Sequence, residues 1–258
     1  MKKILTLAAF TGLALTAQAT ITTSKIAVGS STDFPTTSIS GANGTRSFST
    51  VVASPAGGTI AGGQAQGGFA TGVAWGEVFN WTGSANGNTL SAFSIIVNGA
   101  SATGGTYQPF LFDIGTSLFN TGASTFNPSL QTDLLSGITL NIPGISSANF
   151  LEFDLAGSDA VTLTVGHSYA FGLLNVTAVA GDINFVRDSG TQADPNGAPF
   201  QIASGGLTGT SATVPGFGAG PRNLMIGVYT TTPVPEPSTF ALLGGALALF
   251  GVIRRTRK

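Results

Sequence analysis

The stretch "NFLEFDLAGSDAVTLTVGHSYAFGLLNV", residues Asn149 to Val176, decides the fold class. Apolar residues hold alternate positions of its first part: Leu151, Phe153 and Leu155, with Glu152 and Asp154 between them. Two more alternating runs flank a Gly-His-Ser turn: Val161, Leu163 and Val165 before it, and Tyr169, Phe171 and Leu173 after it. A period of two residues is typical of strands with one buried face, so the stretch predicts a half-buried strand followed by a β-hairpin.

Similar runs, bounded by Gly, Asn and Pro, recur on either side of this stretch. They are "VAWGEVFNW" (73–81), "TLSAFSIIVNG" (89–99), "TYQPFLFDIG" (106–115) and shorter runs at 183–186, 200–203 and 224–229. No part of the body has the length and period of an amphipathic helix. The pattern predicts an all-β protein, an antiparallel β-sandwich of jelly-roll type over residues 73–232. Residues 20–72 are rich in Gly, Ser and Thr and predict loops with one or two edge strands of the same domain.

Composition excludes several classes of function. The body from Thr20 to Pro233 has ten acidic residues against four basic ones, a formal net charge of −6, so nucleic acid is excluded as a partner. The chain has no cysteine, which rules out disulfides, thiolate metal sites and cysteine nucleophiles. Eighteen Phe and 42% hydrophobic residues indicate a packed core that needs no covalent cross-link.

The N-terminus has the three parts of a secretory signal peptide. Lys2 and Lys3 precede an apolar stretch, and Ala17-Gln18-Ala19 forms a small-residue cleavage pattern. We expect the translocon to export the chain and cleavage to follow Ala19. The alternative is a retained N-terminal membrane helix, which the shortness of the apolar stretch disfavours.

The C-terminus has a different pattern of charge. Pro235-Glu236-Pro237-Ser238 precedes an uncharged apolar run from Thr239 to Ile253, which as a helix would be about 22 Å long. Four cations follow it: Arg254, Arg255, Arg257 and Lys258. We expect a single short transmembrane helix whose cations remain cytoplasmic and anchor it at the inner membrane.

These C-terminal residues resemble the PEP-CTERM sorting signal of bacterial exported proteins. The resemblance covers residues 233–258 and implies recognition and cleavage near Pro235-Glu236-Pro237 by a membrane-embedded exosortase. Bearers of the signal usually occur in Gram-negative bacteria that make extracellular polysaccharide. The alternative is an unprocessed C-terminal anchor, which would need neither the Pro-Glu-Pro motif nor so short a span.

Two groups of residues in the body have side chains of the types used in catalysis, but their arrangement predicts no catalytic site. The only histidine, His167, has Ser168 beside it, but neighbours in a turn point in different directions, and no nucleophile motif surrounds them. Glu152 and Asp154 share one strand face and suit a glycosidase pair in type, but a solvated outer strand face is the favoured interpretation, because catalytic pairs usually come from separate elements that converge on a cleft.

Two binding sites are also expected from residue type. Asp188, Asp194 and Asn196 supply hard oxygen ligands in a predicted loop and form a candidate calcium site, the only cofactor expected. The alternative is a simple turn, because Asp194-Pro195-Asn196-Gly197 is a sufficient turn sequence without a bound ion. Trp75 and Trp81 offer rings for stacking on sugars, whereas their shared strand face with Phe79 favours a place in the core.

The sequence therefore predicts an exported, non-enzymatic protein of the cell surface or extracellular matrix, with a structural or adhesive role in a biofilm. Weak binding to exopolysaccharide is part of this expectation. The alternative is a secreted polysaccharide-acting hydrolase.

Overall fold

Antiparallel strands form almost all the regular structure in the part of the chain that the structure describes. A computed structural model describes residues 20–27, 38–41, 44–47, 50–54, 64–65, 70–83, 87–98, 104–116, 119, 125–135, 137–142, 149–156, 161–177, 184–187, 198–203, 205–213, 224 and 226–231. Within these residues the helical structure is limited to two single 3-10 turns, Pro128–Leu130 and Gly206–Thr208. The all-β prediction is confirmed, and every strand pairing in the described residues is antiparallel.

The first sheet has seven strands. They are β1 (Thr20–Ala27), β4 (Thr50–Ser54), β5 (Gln64–Ala65), β7 (Thr89–Asn98), β11 (Asn149–Ala156), β13 (Asn184–Arg187) and β16 (Ile226–Thr231). The order runs β1-β11-β7, and beyond β7 the sheet divides. The first part of β7 pairs with β16, which pairs with β4, while the last residues of β7 pair with β13, which pairs with β5.

The second sheet also has seven strands. They are β6 (Ala74–Asn80), β8 (Gly105–Asp113), β9 (Thr125–Phe126), β10 (Leu140–Ile142), β12 (Ser168–Asn175), β14 (Ala198–Ile202) and β15 (Ala212–Thr213). Their order is β10-β8-β12-β6-β14-β15-β9. Two further strands, β2 (Ser38–Gly41) and β3 (Gly44–Ser47), form a separate hairpin.

Aromatic rings pack the two sheets against each other. The ring of Phe93 on β7 stacks on that of Phe171 on β12, with centroids 3.8 Å apart and planes at 8°. Phe153 on β11 meets Phe171 edge-on, and Phe79 on β6 meets Phe93 in the same way. Burial of such large rings is the main favourable term in a chain without disulfides. The alternating residues of the sequence therefore form the core between the sheets.

The outer face of the second sheet is apolar as well. A second cluster of buried side chains lies there, comprising Ala74, Val78, Phe110, Phe112, Phe119, Ala170, Ala198, Phe200, Ile202 and Ala212. Phe126 of β9 covers it through edge-on contacts with Phe112, Phe119 and Phe200. This sheet is thus buried on both faces, which explains why β6 and β12 have few exposed residues.

The predicted hairpin at residues 161–173 is wrong in its first half. β12 forms as expected, but both of its edges are occupied, by β6 and β8. Val161–Val165 therefore joins the first sheet through one bridge between Thr162 and Thr89. The amides of Leu90 and Leu163 complete this contact by donating to the carbonyls of Val161 and Asn88, both at 2.8 Å.

The region before residue 73 contains more regular structure than predicted. Its described residues include five strands, and β1 and β4 extend the first sheet by pairing with β11 and β16. The jelly-roll connectivity remains a prediction, as do the domain boundaries.

Within the described residues, no helix is long and apolar enough to cross a membrane. The predicted signal peptide at 1–19 and the predicted transmembrane helix at 239–253 lie outside those residues.

Candidate functional site

The two carboxylates of β11 are buried. Glu152 is 1% exposed and Asp154 6%, so the prediction of a solvated strand face is wrong. Alternation assigned both residues correctly to the face opposite Phe153, but it does not show whether that face is covered. Glu152 pairs across the sheet with Ser94, and Asp154 with Ala92.

A hydrogen bond on the same buried face links two strands of the first sheet. The hydroxyls of Ser94 on β7 and Tyr229 on β16 lie 2.6 Å apart, with both side chains buried. Burial raises the pKa of Tyr229, the Ser94 hydroxyl opposes that rise, and the Glu152 carboxylate adds to it. Tyr229 is therefore protonated at neutral pH. These residues form a buried polar network, whereas a glycosidase pair needs two carboxylates that face substrate across a cleft.

Stability above pH 10 tests this burial. An unfolded tyrosine releases its proton near pH 10, whereas folded Tyr229 retains it, so the unfolded state binds fewer protons there. Its contribution to folding is constant below pH 10 and is lost as pH rises, by up to about 1.4 kcal/mol per pH unit. We expect Tyr229→Phe to be about 1 kcal/mol less stable than the unmodified protein at pH 8, because a buried hydrogen bond is lost. We expect this difference in urea-unfolding free energy to shrink or reverse by pH 11.

Ser94→Ala is the matched control. It removes the same hydrogen bond but keeps the tyrosine, so its alkaline loss of stability should follow that of the unmodified protein. Equal alkaline slopes in the two variants would contradict the assignment of the loss to Tyr229.

Glu77 is a buried carboxylate that sequence reasoning did not single out. It lies on the inner face of β6, between Trp75 and Phe79, and its Oε2 accepts the Leu224 amide proton at 2.9 Å. Leu224 lies two residues before the start of β16 in the opposite sheet, so this bond joins the two sheets through the core. The sequence does contain a signal for Glu77, because this acid shares alternate strand positions with aromatic residues.

His167 pairs with an acid that the sequence did not indicate. Its Nδ1 lies 3.0 and 2.9 Å from the two carboxylate oxygens of Asp113, which is 54 residues away and ends β8. Asp113 also accepts the Gly115 amide at 2.8 Å. His167 directly follows a turn at Val165–Gly166, and the adjacent Ser168 hydroxyl contacts Asn80 at 3.4 Å. Each of the two neighbours thus has its own hydrogen-bond partner, and the turn interpretation fits this placement better than a Ser-His-Asp site.

Both tryptophans belong to the core between the sheets. Trp81 is 0% exposed and Trp75 9%, and the Trp81 Nε1–H donates to Asn88 Oδ1 at 3.2 Å. A ring in this position presents no face on which a pyranose could stack. Their placement agrees with the core alternative and gives no support to a sugar-binding pair.

The remaining predicted site residues lie outside the described part of the chain. They are Ala17, Ala19, the calcium candidates Asp188, Asp194 and Asn196, the motif Pro235, Glu236, Pro237 and Ser238, and the cations Arg254, Arg255, Arg257 and Lys258. Among the residues that the structure describes, no group of three or more His, Asp or Glu side chains could hold a metal ion. Calcium binding remains a prediction.

Comparison with known proteins identifies the C-terminal residues. A family model described as the PEP-CTERM protein-sorting motif matches residues 233–258. No curated protein and no solved structure matches the chain. The matched segment begins two residues after β16 ends at Thr231. The chain thus carries a PEP-CTERM protein-sorting motif at residues 233–258, as expected of an exosortase substrate.

Proposed function

We propose that this protein is a non-enzymatic structural protein, exported and displayed at the cell surface or in the extracellular matrix. The observation that carries the proposal is the PEP-CTERM motif, which follows the last strand of the sheet almost directly. The motif supports export and processing by a membrane protease, and its residues act as a substrate for that protease.

The tail defines two stages in this proposal. The apolar run from Thr239 to Ile253 first holds the exported precursor at the inner membrane, with the terminal cations on the cytoplasmic side. Cleavage near Pro235-Glu236-Pro237 then releases the β-sheet body. The body has low charge and two aromatic clusters in its described residues, which suits a stable display scaffold.

Placement of the candidate residues favours a structural role over the hydrolase alternative. Glu152 and Asp154 are buried among strand residues, where a polysaccharide chain has no access to them. The buried tryptophans lend no support to carbohydrate adhesion, so the proposed role is mainly structural. The proposal also includes contact between the displayed body and the exopolysaccharide that surrounds it.

Deletion of the tail tests the proposal. The producing organism would express the full chain or a chain ending at Thr232, and each would be measured by immunoblot in membrane, surface and medium fractions. We expect the full chain at the surface, whereas the shortened chain should lose surface association because it lacks the anchor and the protease substrate. Equal surface display of both chains would contradict the proposal. A Glu152→Gln variant that abolished polysaccharide hydrolysis by the purified body, with its fold intact, would favour the hydrolase.

A further inference from the structure

The N- and C-terminal strands of the first sheet begin and end at the same end of that sheet. Thr20 of β1 pairs with Ala156 at the end of β11. Asp154 pairs with Ala92 on β7, and Thr231 of β16 pairs with Thr89, the first residue of β7. Thr20 and Thr231 are three strand spacings apart, about 14 Å.

The tail permits little separation between this end and its membrane segment. Eight residues lead from Thr231 to Thr239, where the predicted membrane run begins, and at about 3.3–3.6 Å per residue they span at most about 29 Å. The body is joined to this tether at its Thr231 end, so that end is held within this distance of the membrane.

The segment 161–167 connects this end of the first sheet to the second sheet. Thr162 bridges to Thr89 in the first sheet, while the amide of Trp81 donates to the carbonyl of His167 and the amide of Gly166 to the carbonyl of Trp81, both at 2.8 Å. We call the part of the body formed by Trp81–Gly83, Asp113–Thr116 and Val161–His167 the tail-side end.

The exposed groups of the tail-side end are compatible with lipid headgroups. Thr82, Thr116, Thr162 and Thr164 are exposed there and offer hydroxyl donors. Val165 is 56% exposed, one of two exposed large hydrophobic side chains in the described residues. The Asp113 carboxylate at this end contacts Nδ1 of the His167 ring at 2.9 Å.

We propose that the tail-side end rests on the headgroups of the membrane that holds the tail, until the tail is removed. This inference rests on the proposed function, because it requires the tail to lie in a bilayer. The opposite end, where β10 pairs with the start of β8, points away from the membrane. β8 has nine residues, so the two ends are roughly 30 Å apart.

Single cysteines test the orientation cleanly, because the natural chain has none. Val165→Cys and Thr82→Cys place a fluorophore on the tail-side end, and Asn141→Cys on exposed β10 is the control at the other end. Each variant of the chain from Thr20 to Lys258 would be labelled and reconstituted in phosphatidylethanolamine–phosphatidylglycerol vesicles that contain a lipid with a nitroxide on its headgroup. We expect strong quenching at positions 165 and 82, and only background quenching at 141, because roughly 30 Å separates it from the surface.

Flotation of the vesicles separates the two levels of the proposal. A labelled chain that fails to float with the vesicles would overturn the membrane tether and, with it, the proposed function. A chain that floats but shows equal quenching at all three positions would overturn only the orientation. The labelled chain ending at Thr232 supplies the unbound baseline, and circular dichroism confirms that each variant keeps its β-structure.

Discussion

Replacing Gly172 with alanine is expected to cost about 3 kcal/mol of folding free energy, the upper end of the usual range for overpacking. A Cβ at this position would lie 2.5 Å from the carbonyl oxygen of Trp75 and 2.7 Å from the Phe110 ring. Gly172 pairs with Gly76, where a Cβ would lie 2.1 Å from the Phe171 carbonyl oxygen and 2.6 Å from the Phe200 ring. The methyl group must therefore push apart two paired backbones or displace buried rings.

Urea unfolding of Gly172→Ala and Gly166→Ala gives the comparison. Gly166 has a φ of +86° and nothing within 4 Å of a built Cβ, so alanine there should cost about 1 kcal/mol through backbone strain alone. A loss at Gly172 no greater than that at Gly166 would contradict the close approach of β6 and β12.

Replacing Glu236 with glutamine is expected to leave most of the protein unprocessed. The flanking prolines favour an extended backbone, which a protease binds as a strand, and Glu236 supplies the only charge of Pro235-Glu236-Pro237-Ser238. Loss of a charge-assisted contact worth roughly 1.5–3 kcal/mol would slow processing by about tenfold or more. In a pulse-chase experiment, the variant should accumulate as a precursor in the membrane fraction.

Thr239→Ser, directly after Pro235-Glu236-Pro237-Ser238, is the control, and it should be processed at the normal rate. Normal processing of Glu236→Gln would mean that the protease does not recognise the Glu236 charge. It would contradict the expected role of this residue and weaken the assignment of the tail as a protease substrate.

Strand alternation predicted most of the strands from residue 73 onward. Runs such as Leu151-Phe153-Leu155 and Tyr169-Phe171-Leu173 have large side chains on one face, and a buried interface between sheets is the only place that accommodates them. Pairing partners were harder to predict. Val161–Val165 has the same alternation, yet it forms one bridge only, because β6 and β8 already occupy both edges of β12.

The buried polar groups were the least predictable part. Alternation places Glu152 opposite Phe153 but does not show that the outer face is covered, and it assigns Glu77 to the core face without a partner. The partner of Glu77 is an amide 147 residues away, and that of His167 is an acid 54 residues away. Such pairs depend on long-range topology, which a local pattern does not contain. The tail was recognisable because its signal depends only on neighbouring residues: Pro-Glu-Pro-Ser, an apolar run and a cation cluster lie within 26 residues.

The intact mass of the protein recovered from the surface and medium of the producing organism tests the central claim most directly. Sorting through the PEP-CTERM motif predicts a mature chain that begins at Thr20 and ends between residues 233 and 238. A mature surface chain that extends to Lys258 would contradict it.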